Sequence, residues 1–244
     1  MSKIELIITE NYDEMSQKAA DIFINLLKNK PDAVLGLATG STPLGLYKKL
    51  IEKYNQKEIS FKNVTTFNLD EYCGIPQNHE QSYYTYMNQN LFNHIDINKN
   101  NTFIPLSEGD IQSNIKKYEE MLKAKKIDIQ LLGIGSNGHI GFNEPGTDFD
   151  IGVHEVKLTD NTIKDNARFF ENDINKVPKK AITMGVKNIL DADVIILIAS
   201  GTNKADAIKN VMSGNIDKNI PATSLNLHRG KTYVIIDKEA AKKL

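Results

Sequence analysis

The chain has 244 residues, of which 40% are hydrophobic, and a net charge of −1 from 30 Lys and Arg against 31 Asp and Glu. That length suits one large α/β domain, and the balanced charge excludes the positive field that recruits nucleic acid or an anionic membrane. The single cysteine, Cys73, excludes an intrachain disulfide and a cysteine-cluster metal site. The charged amino terminus resembles no secretory signal and no apolar stretch reaches membrane-spanning length, so we expect a soluble cytoplasmic protein.

Strand-like and helix-like segments alternate along the chain, a pattern typical of a mostly parallel sheet with helices on both faces. The predicted strands are residues 3–8, 32–38, 64–69, 127–134 and 193–199, with 153–158 extended and 233–237 closing the sheet. The predicted helices are residues 12–28, 43–54, 82–92, 110–125 and 202–213. No repeat and no long linker interrupts this alternation, which predicts an α/β fold in one domain over residues 1–244.

A glycine-rich loop follows the predicted strand 127–134 and carries one imidazole and one carboxylate. Such a turn after a buried strand is where open α/β sheets bind ligands. His139 and Glu144 are five residues apart, and Pro145 biases Glu144 toward an extended backbone, so the carboxylate can fold back onto the imidazole. This pairing would orient His139 for acid–base chemistry near neutral pH.

Zinc is the competing use of His139, but no third ligand stands at a recognisable spacing. The remaining histidines are expected on the surface or in loops: His79, His94, His154 and His228. Metal binding is therefore the minor hypothesis.

The turn after the second predicted strand contains Thr39, Gly40, Ser41 and Thr42. Pro43 suits the first helical position and Thr42 the N-cap, which would leave free backbone N–H groups for a phosphate. The alternative is an ordinary capped turn. It is not a P-loop, because no Gly-Lys-Ser/Thr follows.

Two further strand ends carry charged residues. Lys204 falls in the first turn of the predicted helix 202–213, where a cation opposes the helix dipole by about 0.3–1 kcal/mol unless an anion binds there; a solvated lysine is the alternative. Asp70 and Glu71 end the third strand, and one of them could act as a base, although loop acids are more often solvated. Because strand ends near 38, 69, 134 and 199 meet at one edge of a parallel sheet, we expect these groups to converge.

Six motifs together make the chain similar to the glucosamine-6-phosphate deaminase family, over nearly its whole length. The motifs are Leu-Ala-Thr-Gly-Ser-Thr-Pro (37–43), Thr-Phe-Asn-Leu-Asp-Glu-Tyr (66–72), Ser-Tyr-Tyr (82–84), Gly-Ile-Gly-Ser-Asn-Gly-His-Ile-Gly-Phe-Asn-Glu-Pro (133–145), Ala-Arg-Phe-Phe (167–170) and Gly-Thr-Asn-Lys-Ala (201–205). The resemblance implies a modified doubly wound, Rossmann-like fold of the sugar-phosphate isomerase and lactonase group.

The resemblance also implies a reaction. An amino-sugar phosphate would be isomerised from aldose to ketose with loss of ammonia, giving fructose 6-phosphate without a cofactor. His139 would open the pyranose ring, oriented by Asn137 and Glu144, and Asp70 would move a proton from C2 to C1. The phosphate would be held by residues 39–42 with Arg168 and Lys204.

The chain departs from the family pattern at two places. Some members have an aspartate where this chain has Asn137, so a second carboxylate acting through His139 is not implied here. Some members are hexamers activated by N-acetylglucosamine 6-phosphate through basic residues between 150 and 160 and a longer tail, whereas this chain has little basic character there and stops at Leu244. We expect no such allosteric control, in a monomer or a homo-oligomer. Segment 150–178, which contains Arg168, is expected to be a lid or a surface helix pair.

Two rival functions are open. A 6-phosphogluconolactonase needs a phosphate cradle and a histidine but no enolising base, so Asp70 separates it from a deaminase. A non-catalytic sugar-phosphate sensor is disfavoured, because no basic helix-turn-helix segment flanks the domain.

Overall fold

The main body of the molecule is a parallel sheet. The computed structural model describes residues 3–244. Its strands are β1 (Lys3–Thr9), β2 (Val34–Leu37), β3 (Thr65–Asn68), β4 (Asp70–Cys73), β5 (Thr102–Phe103), β6 (Ile129–Leu132), β7 (His154–Lys157), β8 (Lys180–Thr183), β9 (Val194–Ala199) and β10 (Lys231–Asp237). Seven of them form a sheet in the order β1-β10-β9-β6-β2-β3-β5, with every neighbouring pair parallel. The predicted mostly parallel α/β class is confirmed.

Within the described residues 3–244, seven α-helices connect the strands. They are α1 (Tyr12–Asn29), α2 (Leu44–Asn55), α3 (Tyr83–Asn90), α4 (Ile111–Ala124), α5 (Asp160–Asn166), α6 (Val186–Leu190) and α7 (Ala205–Met212). The fully buried residues of α1 include Met15, Ala19 and Phe23, which are spaced four positions apart, so one face of the helix packs on the core. The Asn11 side chain accepts the N–H of Glu14 and fixes where this helix begins.

The order in which successive strands are added to the main sheet reverses between β2 and β6. After β2 the chain adds β3 and β5 on one side, and it then returns to place β6, β9 and β10 on the other. The loops that leave the carboxyl ends of β2 and β6 therefore diverge and open a crevice between them. Ligands of open α/β sheets bind at such a switch point.

A second, smaller sheet stands beside the first and was not predicted. It has the order β4-β8-β7 and is antiparallel. The chain passes from β3 to β4 across Leu69, whose N–H donates to the Leu37 carbonyl and whose carbonyl accepts the N–H of Met184. Asp70 is thus the first residue of a paired strand, opposite Thr183, and not part of a loop as its sequence suggested. Its position is fixed by both sheets.

A second apolar cluster joins this sheet to the following helical segment. Its buried members include Tyr72 and Ala181 from the sheet and Ile163, Ala167 and Phe170 from the segment beyond β7. Part of segment 150–178 therefore packs against the second sheet through this apolar cluster.

Three local expectations differ from the structure. The last strand, β10, lies inside the sheet between β1 and β9. The predicted helix 202–213 begins with a 3-10 turn, Thr202–Lys204, before α7. His228, expected at the surface or in a loop, is buried, with its ring nitrogens 2.8 Å from Thr232 Oγ1 and the Ala192 carbonyl. Those two partners satisfy the ring, so burial of this imidazole is tolerated.

None of the helices described over residues 3–244 combines the length and apolar character needed to cross a bilayer.

Candidate active site

A cavity of about 300 Å³ opens at the carboxyl edge of the main sheet. Its wall includes the whole turn 39–42 after β2, Asp70 at the start of β4, His139 from the loop after β6, and Lys204 after β9. Arg168, from the 3-10 turn Ala167–Phe169 that continues α5, completes it. The expected convergence of strand ends thus brings most of the candidate residues to one cavity. Asn137 and Glu144 lie behind His139 rather than in the wall.

Three tyrosine hydroxyls hold the carbonyl groups of the turn that follows β2. Tyr47 donates to the Ala38 carbonyl at 2.5 Å, Tyr86 to that of Gly40 at 2.6 Å, and Tyr12 to that of Thr42 at 3.0 Å. Carbonyl oxygens repel an anion, so their engagement elsewhere leaves the turn's positive N–H edge to face a ligand.

The backbone of this turn depends on a glycine. Gly40 has a φ of 94°, a conformation that other residues adopt only with strain. The predicted Thr42 cap is wrong: α2 begins at Leu44, Pro43 occupies the cap position, and no side chain caps the helix there. Thr42 lies one residue further out, where its main-chain carbonyl is held by Tyr12.

Two cations face the cavity from different elements. Lys204 ends the 3-10 turn after β9, and burial lowers the pKa of its ammonium group, with the nearby Arg168 acting in the same direction and Asp165 opposing them. The loop before it is fixed by Asp237, which accepts the hydroxyl of Ser200 and the N–H of Gly201. Neighbouring like charges are stabilised by an anion between them, so this side of the cavity is suited to a phosphate.

Asp70 supplies a carboxylate to the cavity in an apolar setting. The residue is only 6% exposed, and burial raises the pKa of its carboxyl well above its usual range, with the negative charge of Glu71 adding to the effect. A carboxylate with a raised pKa is a stronger base than one in water.

Glu71 has a different task from its neighbour. Its carboxylate accepts the backbone N–H groups of Tyr72, Tyr83 and Tyr84 at 2.9–3.0 Å. Two of these donors are the first residues of α3, so Glu71 anchors that helix to β4. Of the two acids that the sequence left open, Asp70 faces the cavity and Glu71 is engaged structurally.

His139 stands at the inner end of the cavity. Its ring packs so closely on Gly135 that a Cβ there would come within 2.3 Å of it, which only glycine avoids. Nδ1 of the ring lies 3.7 Å from Glu144 Oε2, and the Asn137 amide donates to that same oxygen at 3.1 Å. Burial lowers the pKa of His139, while Glu144 raises it. The imidazole is therefore mostly neutral near pH 7.

Several residues of this site escaped the sequence reasoning. Thr162, on α5, lines the cavity and donates its hydroxyl to Glu144 Oε1. Tyr83 and Phe142 stack with their ring planes 11° apart and form an apolar wall. Tyr83 belongs to the Ser-Tyr-Tyr motif, which was a usable signal, whereas nothing in the sequence around Thr162 marks its contact.

Over residues 3–244 no group of three His, Cys, Asp or Glu side chains is arranged to hold a metal ion.

The fold and the site together define an α/β protein of the doubly wound class, with a crevice at its switch point that is lined by two cations, an imidazole and a buried carboxylate. Comparison with known proteins narrows this class. The chain belongs to the glucosamine-6-phosphate isomerase/6-phosphogluconolactonase family, whose model matches residues 9–234.

Individual relatives are similar over nearly the whole chain. The glucosamine-6-phosphate deaminase of Thermoanaerobacter sp. (strain X514) is 54% identical over 98% of this chain and 94% of its own length. That of Mycoplasma mycoides subsp. mycoides is 52% identical over 99% and 98%.

The structure of this chain is similar to solved structures of two kinds of enzyme. A monomeric glucosamine-6-phosphate deaminase superposes with a TM-score of 0.94 at 46% identity, covering 99% of this chain and 100% of that one. The 6-phosphogluconolactonase of Trypanosoma brucei gives a TM-score of 0.80 at 19% identity over 100% and 99%, which shows the shared fold alone.

Proposed function

We propose that this protein is a glucosamine-6-phosphate deaminase, which converts glucosamine 6-phosphate and water to fructose 6-phosphate and ammonia. The observation that carries the proposal is that the buried Asp70 carboxylate lines the same cavity as turn 39–42, two cations and a neutral imidazole. The named deaminases at 54% and 52% identity support the same reaction.

The phosphate is bound first. Turn 39–42 offers backbone N–H and hydroxyl groups, and Arg168 and Lys204 add charge-assisted hydrogen bonds. These contacts lie away from the reacting carbons, so their binding energy positions C1 and C2 against His139 and Asp70.

Ring opening follows at His139. A neutral imidazole can accept the proton of the anomeric hydroxyl and return it to the ring oxygen, which frees the C1 aldehyde. The Glu144 carboxylate stabilises the His139 imidazole while the imidazole is transiently charged, and the Asn137 amide holds Glu144 in place. Asn137 carries no charge of its own, so in this chain the only carboxylate of the relay is Glu144.

Isomerisation and loss of ammonia then use Asp70. The aldehyde acidifies the C2–H bond, and Asp70 takes that proton while the ammonium group at C2 gives one of its protons to O1, which leaves a neutral enolamine. Asp70 then returns its proton to C1. The product is a C2 ketiminium, which water hydrolyses to fructose 6-phosphate and ammonium. A positioned base of this kind contributes about 10²–10⁴-fold in rate.

The decisive experiment compares wild type with Asp70→Asn on glucosamine 6-phosphate. We expect wild type to release ammonia and to exchange the C2 hydrogen with solvent, and the variant to lose both by at least about 10²-fold. Binding of inorganic phosphate, measured by calorimetry, should be unchanged in the variant. Wild type that releases no ammonia would refute the proposal.

A 6-phosphogluconolactonase is the second candidate, because the family and the fold include such enzymes. It needs no enolising base, so hydrolysis of 6-phosphogluconolactone that survives Asp70→Asn would establish it instead.

The setting of the enzyme completes the proposal. A sugar phosphate carries about 1.5–2 negative charges at pH 7 and does not cross a bilayer unaided, so we place the reaction in the cytoplasm, in amino-sugar catabolism. We further propose that residues 1–244 work as one domain, in which segment 150–178 acts as a lid. Its apolar contacts with the second sheet and the presence of Arg168 in the cavity wall support this role.

A further inference from the structure

The carboxylate of Glu144 is shared between two elements of the fold. Its Oε2 accepts the Asn137 amide and lies beside the His139 ring, both within the loop after β6. Its Oε1 accepts the hydroxyl of Thr162, which comes from α5. The side chain of Glu144 is only 7% exposed, so an oxygen that lost its donor could not turn to bulk water.

The hydroxyl of Thr162 is directed toward Glu144 by its own neighbours. The Thr159 hydroxyl lies 3.1 Å from the Thr162 oxygen and donates to it, and the Thr162 N–H donates back to Thr159 Oγ1 at 3.3 Å. Thr159 is the N-cap of α5. The hydrogen of Thr162 therefore remains for the carboxylate, and the contact is tied to the start of the helix.

The same helical piece carries a phosphate-binding candidate. Helix α5 runs without a break into the 3-10 turn that contains Arg168, six residues after Thr162. Ile163, Ala167 and Phe170 anchor this piece in the second apolar cluster. A displacement of the Arg168 backbone toward an anion would therefore be shared by Thr162, because packed helical segments move as units.

We propose that Thr162 is a positioning residue, which holds Glu144 against His139 and links ring opening to the grip of Arg168 on the phosphate. The proposal rests on the deaminase function given above. If this is so, phosphate binding improves the position of Glu144 against His139 in addition to holding the substrate. Part of the phosphate binding energy then increases kcat.

The test uses Thr162→Val, which removes the hydroxyl at nearly constant volume, with Thr162→Ser as its matched control. We expect kcat on glucosamine 6-phosphate to fall about tenfold in the valine variant and to recover to within about threefold of wild type in the serine variant. The dissociation constant for 2-amino-2-deoxyglucitol 6-phosphate, an open-chain analogue with no ring to open, should change less than twofold in both.

A double-mutant cycle with Arg168→Lys tests the link itself. If the two residues act through one helical piece, the double variant will be no slower in kcat than the slower single variant. The inference would be overturned if Thr162→Val kept the kcat of wild type. It would also be overturned if kcat and analogue affinity fell equally and Thr162→Ser did not restore them, or if the effects of the two substitutions on kcat simply multiplied in the cycle. Wild type that releases no ammonia would overturn this inference together with the proposed function, whereas an active wild type with any of those patterns overturns the inference alone.

Discussion

At the scale of single residues, Asp70 shows how burial changes the acid–base chemistry of an ordinary aspartate. Burial in the cavity and the charge of Glu71 raise the pKa of its carboxyl. The same environment that strengthens the base makes the ionised form unfavourable in the folded protein. The ionised form of Asp70 therefore opposes folding at neutral pH, and it is this form that the proposed reaction uses.

This opposition predicts a stability effect with a definite pH dependence. Below the usual aspartate value of 3.8 the carboxyl is protonated in the folded and unfolded states alike, and Asp70→Asn should be neutral. As the pH rises above 3.8 the unfolded chain releases its proton before the folded one does, so wild type loses stability and the variant does not. We expect the Tm of Asp70→Asn to exceed that of wild type at pH 8, by about 2–4 °C for each kcal/mol recovered.

Calorimetry at pH 4 and pH 8 measures the difference, with Asp13→Asn as control. Asp13 is 78% exposed and pairs with Lys49 at the surface, so its replacement should shift Tm little at either pH. A Tm of Asp70→Asn below that of wild type at pH 8 would contradict the burial argument.

At the scale of elements, the turn after β2 is shaped from outside by the tyrosines of the neighbouring helices. Tyr12, Tyr47 and Tyr86 come from α1, α2 and α3, and each donates to a carbonyl of the turn. Three helices thus fix the direction in which its N–H groups point. The local sequence specifies a turn, and the surrounding helices engage its carbonyl groups, which leaves its N–H groups for the phosphate that we propose.

We predict that Gly40→Ala weakens phosphate binding through the backbone alone. A Cβ at this position would meet no atom within 4 Å, so the change acts only through the φ of 94°, which opposes a side chain by roughly 1–2 kcal/mol. If the turn shifts to relieve that strain, KM for the sugar phosphate and the inhibition constant of inorganic phosphate should both rise about tenfold, with kcat changed little.

Gly74→Ala is the matched control for this effect. Gly74 has a φ of 90°, an added Cβ there also meets no atom within 4 Å, and the residue lies outside the cavity wall. The two variants should lose similar stability, and KM should rise only for Gly40→Ala. A KM that rises equally in both would show that general destabilisation, and not the turn, is responsible.

At the scale of the whole molecule, the stretch that stands where some family members have an allosteric region is part of the second sheet here. His154–Lys157 forms β7, which pairs with β8 in the second sheet. Residues 150–160 contain one lysine and no arginine. We therefore predict a monomeric enzyme without activation by N-acetylglucosamine 6-phosphate.

The corresponding measurement is initial rate against glucosamine 6-phosphate, with and without the acetylated sugar phosphate. We expect hyperbolic curves with a Hill coefficient of about 1 in both, because a single site in a monomer at equilibrium has no partner site to couple to. A sigmoidal curve that the acetylated compound makes hyperbolic would refute this, and light scattering gives the oligomeric state independently.

Local patterns in the sequence were enough to predict six of the seven strands of the main sheet, all except β5, and the meeting of their carboxyl ends. The apolar runs behind β6 and β9, the stripe of α1 and the glycine-bearing turns are local patterns, and local patterns specify which segments are buried and where they stop. Right-handed crossovers then place parallel strand ends at one edge. The likeness of six motifs to a known family added the residues expected there.

The second sheet and the different surroundings of Asp70 and Glu71 depend on contacts between distant segments, which only the folded structure shows. Strands β4 and β8 have four residues each, and the pairing of Asp70 with Thr183 joins positions more than a hundred residues apart. That Asp70 faces the cavity while Glu71 binds the start of α3 depends on this pairing. The contact of Thr162 with Glu144 likewise joins two elements that only packing brings together. No local periodicity encodes such contacts, because they are set by how separate elements bury their surfaces against each other.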